Sequence, residues 1–240
     1  MSAAPQYVSD ETELAAFVRA QGSHCLIVGR HEETQWNAEG RLLGQQDTPL
    51  NGRGFSQAQT TARFLKSIPL LRVHSSTLRR SRDTADAMDK ANITRPDLVS
   101  SDMLKEIALG ILEGEFKDQQ STAELTRYYQ DFCKDEIHYR VPDGENLHDV
   151  AARVQRFFED DDALVDGSGV HLIVGHRNVN KMILKHLLEL SFDEGFRVEQ
   201  EHQRLYFYFG STKQFWSVWV EAEGASLIRG YATTEDNGYA

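Results

Sequence analysis

Two cysteines in 240 residues, Cys25 and Cys133, are too few and too far apart for a disulfide framework or a metal-binding or redox spacing. Two is an even number, so one bridge stays open on arithmetic alone, but the pattern points to a reducing, cytoplasmic compartment. No apolar stretch approaches the roughly 18 residues that suggest a membrane span. Met1 to Gly22 lacks the basic start and apolar core of an export signal; it reads as a short helix capped by Asp10 and Glu13, with Leu14, Phe17 and Val18 on its apolar side. Positive charge is in deficit too. Lys and Arg total 26 against 37 Asp and Glu, a formal charge of −11, which excludes a general nucleic-acid affinity and requires any anionic ligand to be held by a local cluster. Repeats and low-complexity linkers are absent, and the length suits one domain, residues 1–240, with a modest insertion.

What is present alternates. Cys25 to Val28 and Arg72 to Ser75 are apolar strand-like runs, followed by helical patterns over Gln57 to Leu65 and Arg80 to Lys90. From Asn146, the spacing Val150, Val154, Phe157 marks a helix leading into a strand at His171 to Val174, and Val179, Ile183, Leu187 and Leu190 mark the helix after it. The alternation predicts βαβ units and a three-layer α/β/α domain with a mostly parallel central sheet. Arg204 to Phe209 and Phe215 to Val220 are rich in aromatic and β-branched residues, which predicts a hairpin at a sheet edge. The polar stretch Phe116 to Tyr139 reads as a helix inserted over the sheet, and Thr233 to Ala240 as a loose end.

Two of the strand-like runs end alike. Leu26 to His31 is LIVGRH and Leu172 to Arg177 is LIVGHR, so each apolar run stops at a glycine and delivers one histidine and one arginine. If both are central parallel strands, their carboxyl ends open on one crevice, where open α/β sheets bind ligands. Imidazoles and guanidiniums crowded there repel one another, and an oxyanion relieves that repulsion. The nearby HCLIVGR stretch is a decoy for the loop of cysteine-dependent phosphatases: Cys25 and Arg30 are separated by four residues, where those loops need five. Cys25 reads as a buried strand residue.

Arg30, His31, Glu33, Thr34, Trp36 and Asn37 resemble the RHGETxWN motif of the histidine phosphatase superfamily, also called phosphoglycerate mutase-like. Further blocks follow in order: Gly44 and Asp47 to Leu50; Ser75, Ser76, Leu78, Arg80, Thr84 and Ala85; Leu104, Glu106, Gly110, Glu113 and Gly114; Gly144, Glu145 and Arg153; and His176. The resemblance implies a phosphoglycerate mutase-like fold with a short helical cap insertion over about residues 111–145. It implies His31 as a nucleophile that becomes phosphorylated, with Arg30, Asn37, Arg80 and His176 holding the phosphoryl oxygens and Glu106 donating the proton. Glu113 competes with Glu106 for that last role. Neutral imidazole is available near pH 7, and a covalent intermediate splits one hard displacement into two easier ones. Guanidiniums can stabilise the transferring group without a metal, so no cofactor is expected. Arg153 and Glu145 read as structural charge partners, and Trp36 as packing.

The chain departs from the motif at Glu32, where the glycine after the nucleophile belongs, at Arg177 and Asn178, where small residues usually follow the second histidine, and at Leu43, where many of the phosphatases carry a polar phosphate contact. Glu32 and Arg177 follow the two pocket histidines, which predicts that they pair across the crevice mouth. Between Glu106 and His176 lie 69 residues, shorter than the insertion of cofactor-dependent mutases, which favours a phosphomonoester hydrolase acting on a small phosphorylated metabolite and releasing inorganic phosphate. A phosphoglycerate mutase-type transfer, or a non-catalytic phosphate binder, are the alternatives. Arg177, Lys181, Arg41 and Arg79 favour a substrate with a second negative group, Arg177 being counted among the substrate contacts.

Overall fold

A computed structural model describes residues 5–160, 164 and 167–233. One eight-stranded sheet runs through it in the order β1-β8-β7-β6-β2-β5-β3-β4. Its strands are β1 (Gln6–Val8), β2 (His24–Arg30), β3 (Leu70–Ser76), β4 (Asp97–Ser101), β5 (Gly169–Gly175), β6 (Arg204–Phe209), β7 (Gln214–Glu221) and β8 (Gly224–Arg229). Strands β2, β5, β3 and β4 run parallel side by side, whereas β6 and β8 are reversed relative to the rest. The sheet is therefore mostly, not strictly, parallel.

The helices are α1 (Glu11–Gln21), α2 (Gln35–Ala38), α3 (Gly52–Leu65), α4 (Arg79–Ala91), α5 (Ala123–Lys134), α6 (Leu147–Glu159), α7 (Arg177–Leu187) and α8 (Phe192–Phe196). Local chemistry sets their starts. Asp10 accepts the N–H groups of Thr12 and Glu13 at 2.8 and 2.9 Å, and Asn146 forms a reciprocal capping box with Asp149 at the start of α6. Strand β2 is buried from His24 to Gly29 because helices cover both faces, so its alternate residues feed two cores. Cys25 and Ile27 join α1, α3 and α4 on one side; Leu26 and Val28 join α5, α6 and α7 on the other. The two cores make the α/β/α sandwich.

The hairpin expected at a sheet edge forms, as β6 and β7, but it lies inside the sheet. Strands β8 and β1 continue outward from it, so the outer edges are β1 and β4. These three strands escaped the pattern because they are short or exposed: β1 has three residues, β4 has no buried residue, and β8 buries little beyond Ala225 and Leu227. Within the polar stretch 116–139 only α5 is helical, beginning after its Thr122 cap. Helix α3 begins five residues before the expected Gln57, because Asn51 caps it by accepting from the Gly54 N–H at 2.8 Å. The expected loose end lies, beyond Thr233, outside the described residues. No helix among the described residues is long and apolar enough to cross a membrane.

Ile27 is fully buried in the centre of β2, whereas Ile93 is 71% exposed. Urea denaturation of Ile27→Ala is expected to show a loss of about 2–5 kcal/mol, against about 0.5 kcal/mol or less for Ile93→Ala. Equal losses would contradict the placement of the core.

Candidate active site

Parallel pairing sets Arg30 opposite Gly175, and one residue later the His31 N–H donates to the Gly175 carbonyl at 2.9 Å. The chains then separate into the loop before α2 and into α7. At the separation His31 and His176 face each other, both buried, with ring centroids 4.9 Å apart.

The hydrogen bonds fix the state of each ring. His31 Nδ1 lies 2.7 Å from the Glu32 carbonyl oxygen, which can only accept, so Nδ1 carries the proton and Nε2 keeps its lone pair. Burial first, then the nearby Arg80, His176, Arg30 and His202, hold the His31 pKa well below the usual 6.5, so this imidazole is neutral at pH 7. His176 accepts at Nδ1 from Arg80 Nε, 3.2 Å away. Its other nitrogen, Nε2, therefore donates to Ser76 Oγ at 2.6 Å. Burial, then Arg80 and Arg30, keep His176 neutral as well.

Arg80 is fully buried. Besides its bond to His176 it donates from its two terminal nitrogens to the carbonyls of Gln46 and Gly44 at 2.6 and 2.8 Å. Burial lowers its pKa to about 10, which leaves it charged at pH 7. Gly44 has a left-handed φ of +49°, and a Cβ there would collide with the Glu113 carboxylate, so only glycine presents this carbonyl to Arg80. Arg30 donates to the Gln200 carbonyl at 2.9 Å. Asn37 accepts from the Thr34 N–H at 3.1 Å through Oδ1, which leaves its NH2 end for the cavity it lines.

Glu106 sits against the start of α7. Its carboxylate accepts from the backbone N–H groups of Asn178 and Ile107 at 3.0 and 2.9 Å, where the helix dipole favours negative charge. Arg153 supports it from behind, donating to the Glu106 and Met103 carbonyls at 3.1 and 2.6 Å while pairing with Glu145 at 3.1 Å. Glu113 is occupied elsewhere, accepting from the Gln45 and Leu109 N–H groups at 2.8 and 3.0 Å. Of the two candidate acids only Glu106 lines the cavity.

Six of the expected residues, Arg30, His31, Asn37, Arg80, Glu106 and Arg177, share the wall of one cavity. His176 lies one layer behind it, ordering Arg80. Arg41, Lys117 and Leu43 complete the rim. Arg41 is stacked over Trp36 at 4.2 Å and over Phe116 at 5.1 Å, and its Nε donates to the Gly114 carbonyl at 2.8 Å. Lys117 was invisible in the sequence, because the antiparallel bridge that sets Arg41 beside Phe116 joins segments some 75 residues apart. Arg79 lies off this cavity, exposed and 3.5 Å from Asp83. Lys181, on α7, is fully buried with its Nζ 4.1 Å from the Phe196 ring centre, and neither residue lines the cavity. Cys25 is a buried thiol whose pKa burial raises well above its usual value, and both cysteines are free. Among the described residues no group of three or more His, Cys, Asp or Glu is placed to hold a metal ion.

The expected Glu32–Arg177 pair does not form. Helix α7 carries Arg177 to the cavity, but the chain after His31 passes beneath α3 and turns Glu32 the other way. There its carboxyl accepts from Thr61 Oγ1 at 3.2 Å and lies 3.9 Å from His202 Nδ1. Burial pushes its pKa to about 8, so it is a neutral acid at pH 7 and adds no charge to the pocket.

Residues 26–218 match the sequence profile of the histidine phosphatase superfamily (branch 1). An Escherichia coli protein named "Probable phosphoglycerate mutase GpmB" is 34% identical over 147 residues, 61% of this chain and 66% of that protein. The match thus spans just under two thirds of that relative's length. Among solved structures, the mycobacterial glucosyl-3-phosphoglycerate phosphatase superposes with a TM-score of 0.62 at 23% identity, covering 77% of this chain and 89% of the other. The α-ribazole phosphatase of Shigella flexneri gives 0.66 at 23% identity, covering 89% and 96%. At that identity the two structures establish the fold.

The buried acid of Glu32 predicts a pH dependence. Folded, it holds a proton up to about pH 8 that the unfolded chain releases near 4.5. Between those values the native state binds more protons, so stability is complete below the lower value and falls as pH rises, by at most about 1.4 kcal/mol per pH unit. Denaturation of the parent and of Glu32→Gln between about pH 5 and pH 8 should show the parent losing ground steadily; a constant difference would mean that the carboxyl ionises in its usual range.

Proposed function

The chain belongs to the histidine phosphatase superfamily, branch 1, and on that footing we propose that it hydrolyses phosphomonoesters through a phosphohistidine formed on His31. The observation that carries this reading is the neutral His31 ring, tied at Nδ1 to a backbone carbonyl, in a cavity lined also by four guanidiniums and one carboxyl. The Nε2 lone pair attacks phosphorus and the ester P–O bond breaks. The leaving alkoxide takes a proton from Glu106, placed at the cavity wall as the general acid. In the second step Glu106 removes a proton from water, the water oxygen attacks phosphorus, and inorganic phosphate departs as His31 regains its lone pair. Arg30, Arg80 and the Asn37 amide hold the equatorial oxygens, on which charge accumulates. His176 holds Arg80 in place for that task. No metal or other cofactor is assigned a part.

A phosphoglycerate mutase-type transfer is the second reading, favoured by the likeness to GpmB. It differs in the fate of the phosphoenzyme, which must outlast water until an acceptor arrives. A negative charge at Glu32 beside the pocket would favour a non-catalytic binder; its carboxyl faces Thr61 instead, with a pKa pushed up to about 8, which supports the catalytic reading. Arg41, Lys117 and Arg177 at the rim suit a leaving group that carries a further negative charge, a carboxylate or second phosphate. The two free thiols accord with the cytoplasmic location proposed for it.

Rapid-quench labelling with a chromogenic phosphomonoester should trap acid-labile phosphate on the parent. His31→Ala should lose both the label and about a thousandfold or more of the turnover; parental turnover in that variant would end the reading. Label that forms in a burst and then decays slowly would point to the mutase. Dialysis against EDTA should leave the rate unchanged, and a loss restored by a divalent ion would refute the metal-free assignment. For the rim, Lys117→Gln should lower kcat/KM for 3-phosphoglycerate at least about tenfold more than for glycerol 3-phosphate, which differs only in lacking the carboxylate; equal losses would remove the second charge.

A further inference from the structure

Two consecutive residues where β2 ends, Arg30 and His31, are held by one short segment that lies outside every motif block. Gln200 offers its carbonyl to Arg30 at 2.9 Å. Two residues on, His202 Nδ1 lies 2.9 Å from the His31 carbonyl oxygen. Since a carbonyl can only accept, His202 Nδ1 is protonated and donates. The segment is itself anchored, because the Val220 N–H donates to the Gln203 carbonyl at 3.0 Å and Tyr206 Oη donates to the Glu199 carbonyl at 2.5 Å. Gln203 turns through a left-handed φ of 59°, a conformation that non-glycine residues adopt at a cost.

The peptide joining His31 to Glu32 is thereby gripped at both ends. His202 holds its oxygen, and its N–H donates to Thr84 Oγ1 at 3.1 Å. Thr84 Oγ1 in turn donates to the Arg80 carbonyl at 2.9 Å, which ties the grip to the helix that bears the second guanidinium. The following carbonyl, that of Glu32, is the one that orients the His31 ring through Nδ1. A tilt of the gripped peptide would move that carbonyl and swing Nε2 off line. His202 itself lies off the cavity wall, its ring centroid 5.9 Å from that of His31.

We propose that His202 is a positioning residue for phosphoryl transfer: by donating to the His31 carbonyl it sets the peptide plane that aims His31 Nε2 at phosphorus. This rests on His31 being the nucleophile. The test is single-turnover phosphorylation of His31 in the full chain, with His202→Ala, His202→Asn and His202→Gln beside the parent. Asparagine places an N–H where histidine has Nδ1, whereas glutamine carries its donor one bond farther out. The alanine variant should phosphorylate about 10- to 100-fold more slowly, with KM and the inhibition constant of inorganic phosphate changed less than about threefold, since the phosphoryl contacts are untouched. Asparagine should return the rate to within about threefold of the parent and glutamine should not. Should alanine fail to fold, the asparagine-to-glutamine ratio carries the test alone. A parental rate in the alanine variant, a loss confined to KM, or equal rates for asparagine and glutamine would overturn the assignment while leaving the nucleophile intact. A parent that forms no phosphohistidine overturns both.

Discussion

A single backbone hydrogen bond, from the His31 N–H to the Gly175 carbonyl, closes the β2–β5 ladder just where both strands end. Everything at the site is referred to that point. Beyond it the two chains part, one toward α2 and the other directly into α7, and the parting is the crevice. Asn180 of α7 reaches back across the junction to donate to the Gly29 carbonyl at 2.9 Å. Its amide passes so close to Gly175 that a Cβ there would collide with it. Gly175 thus serves the crossing of a helix over two strands, whereas a Cβ at Gly29 would meet the Leu205 side chain of β6.

The guanidiniums that line the crevice most deeply donate to neutral acceptors. Arg80 is satisfied by the carbonyls of Gly44 and Gln46 and by a neutral imidazole, and Arg30 by the carbonyl of Gln200. Dipoles of this kind hold a guanidinium in place but do not cancel its charge, so the attraction for an anion survives burial. The same cations, with burial, keep both imidazoles neutral. The neutral state of His31 and the pocket's attraction for an anion therefore have one origin.

Most of the site's membership was readable in the sequence because motif residues cluster at strand ends and helix starts, where local pattern and tertiary position coincide. The parallel strands and the helices flanking them were readable for the same reason: their apolar periods are long and unbroken. What escaped depends on contacts between distant segments. Lys117 reaches the rim through a bridge from Arg41 to Phe116, His202 reaches His31 through a loop with no periodicity, and the short strands β1, β4 and β8 have too few buried residues to register. The Glu32–Arg177 pairing failed for a related reason, since position along a strand says little about the direction of a side chain once the strand has ended.

The placement of β2 bears on how the chain is made. Among the described residues its sheet neighbours are β5 and β6, which begin at Gly169 and Arg204. On a ribosome adding about 5–20 residues per second, the first of these follows β2 by roughly 7–30 s. Throughout that interval one of the most apolar segments of the polypeptide, with every ladder bond unmade, is present in the nascent chain. Closure by such remote partners is slow for entropic reasons. The strand that leads into His31 is thus also the segment for which a holdase chaperone has the longest opportunity.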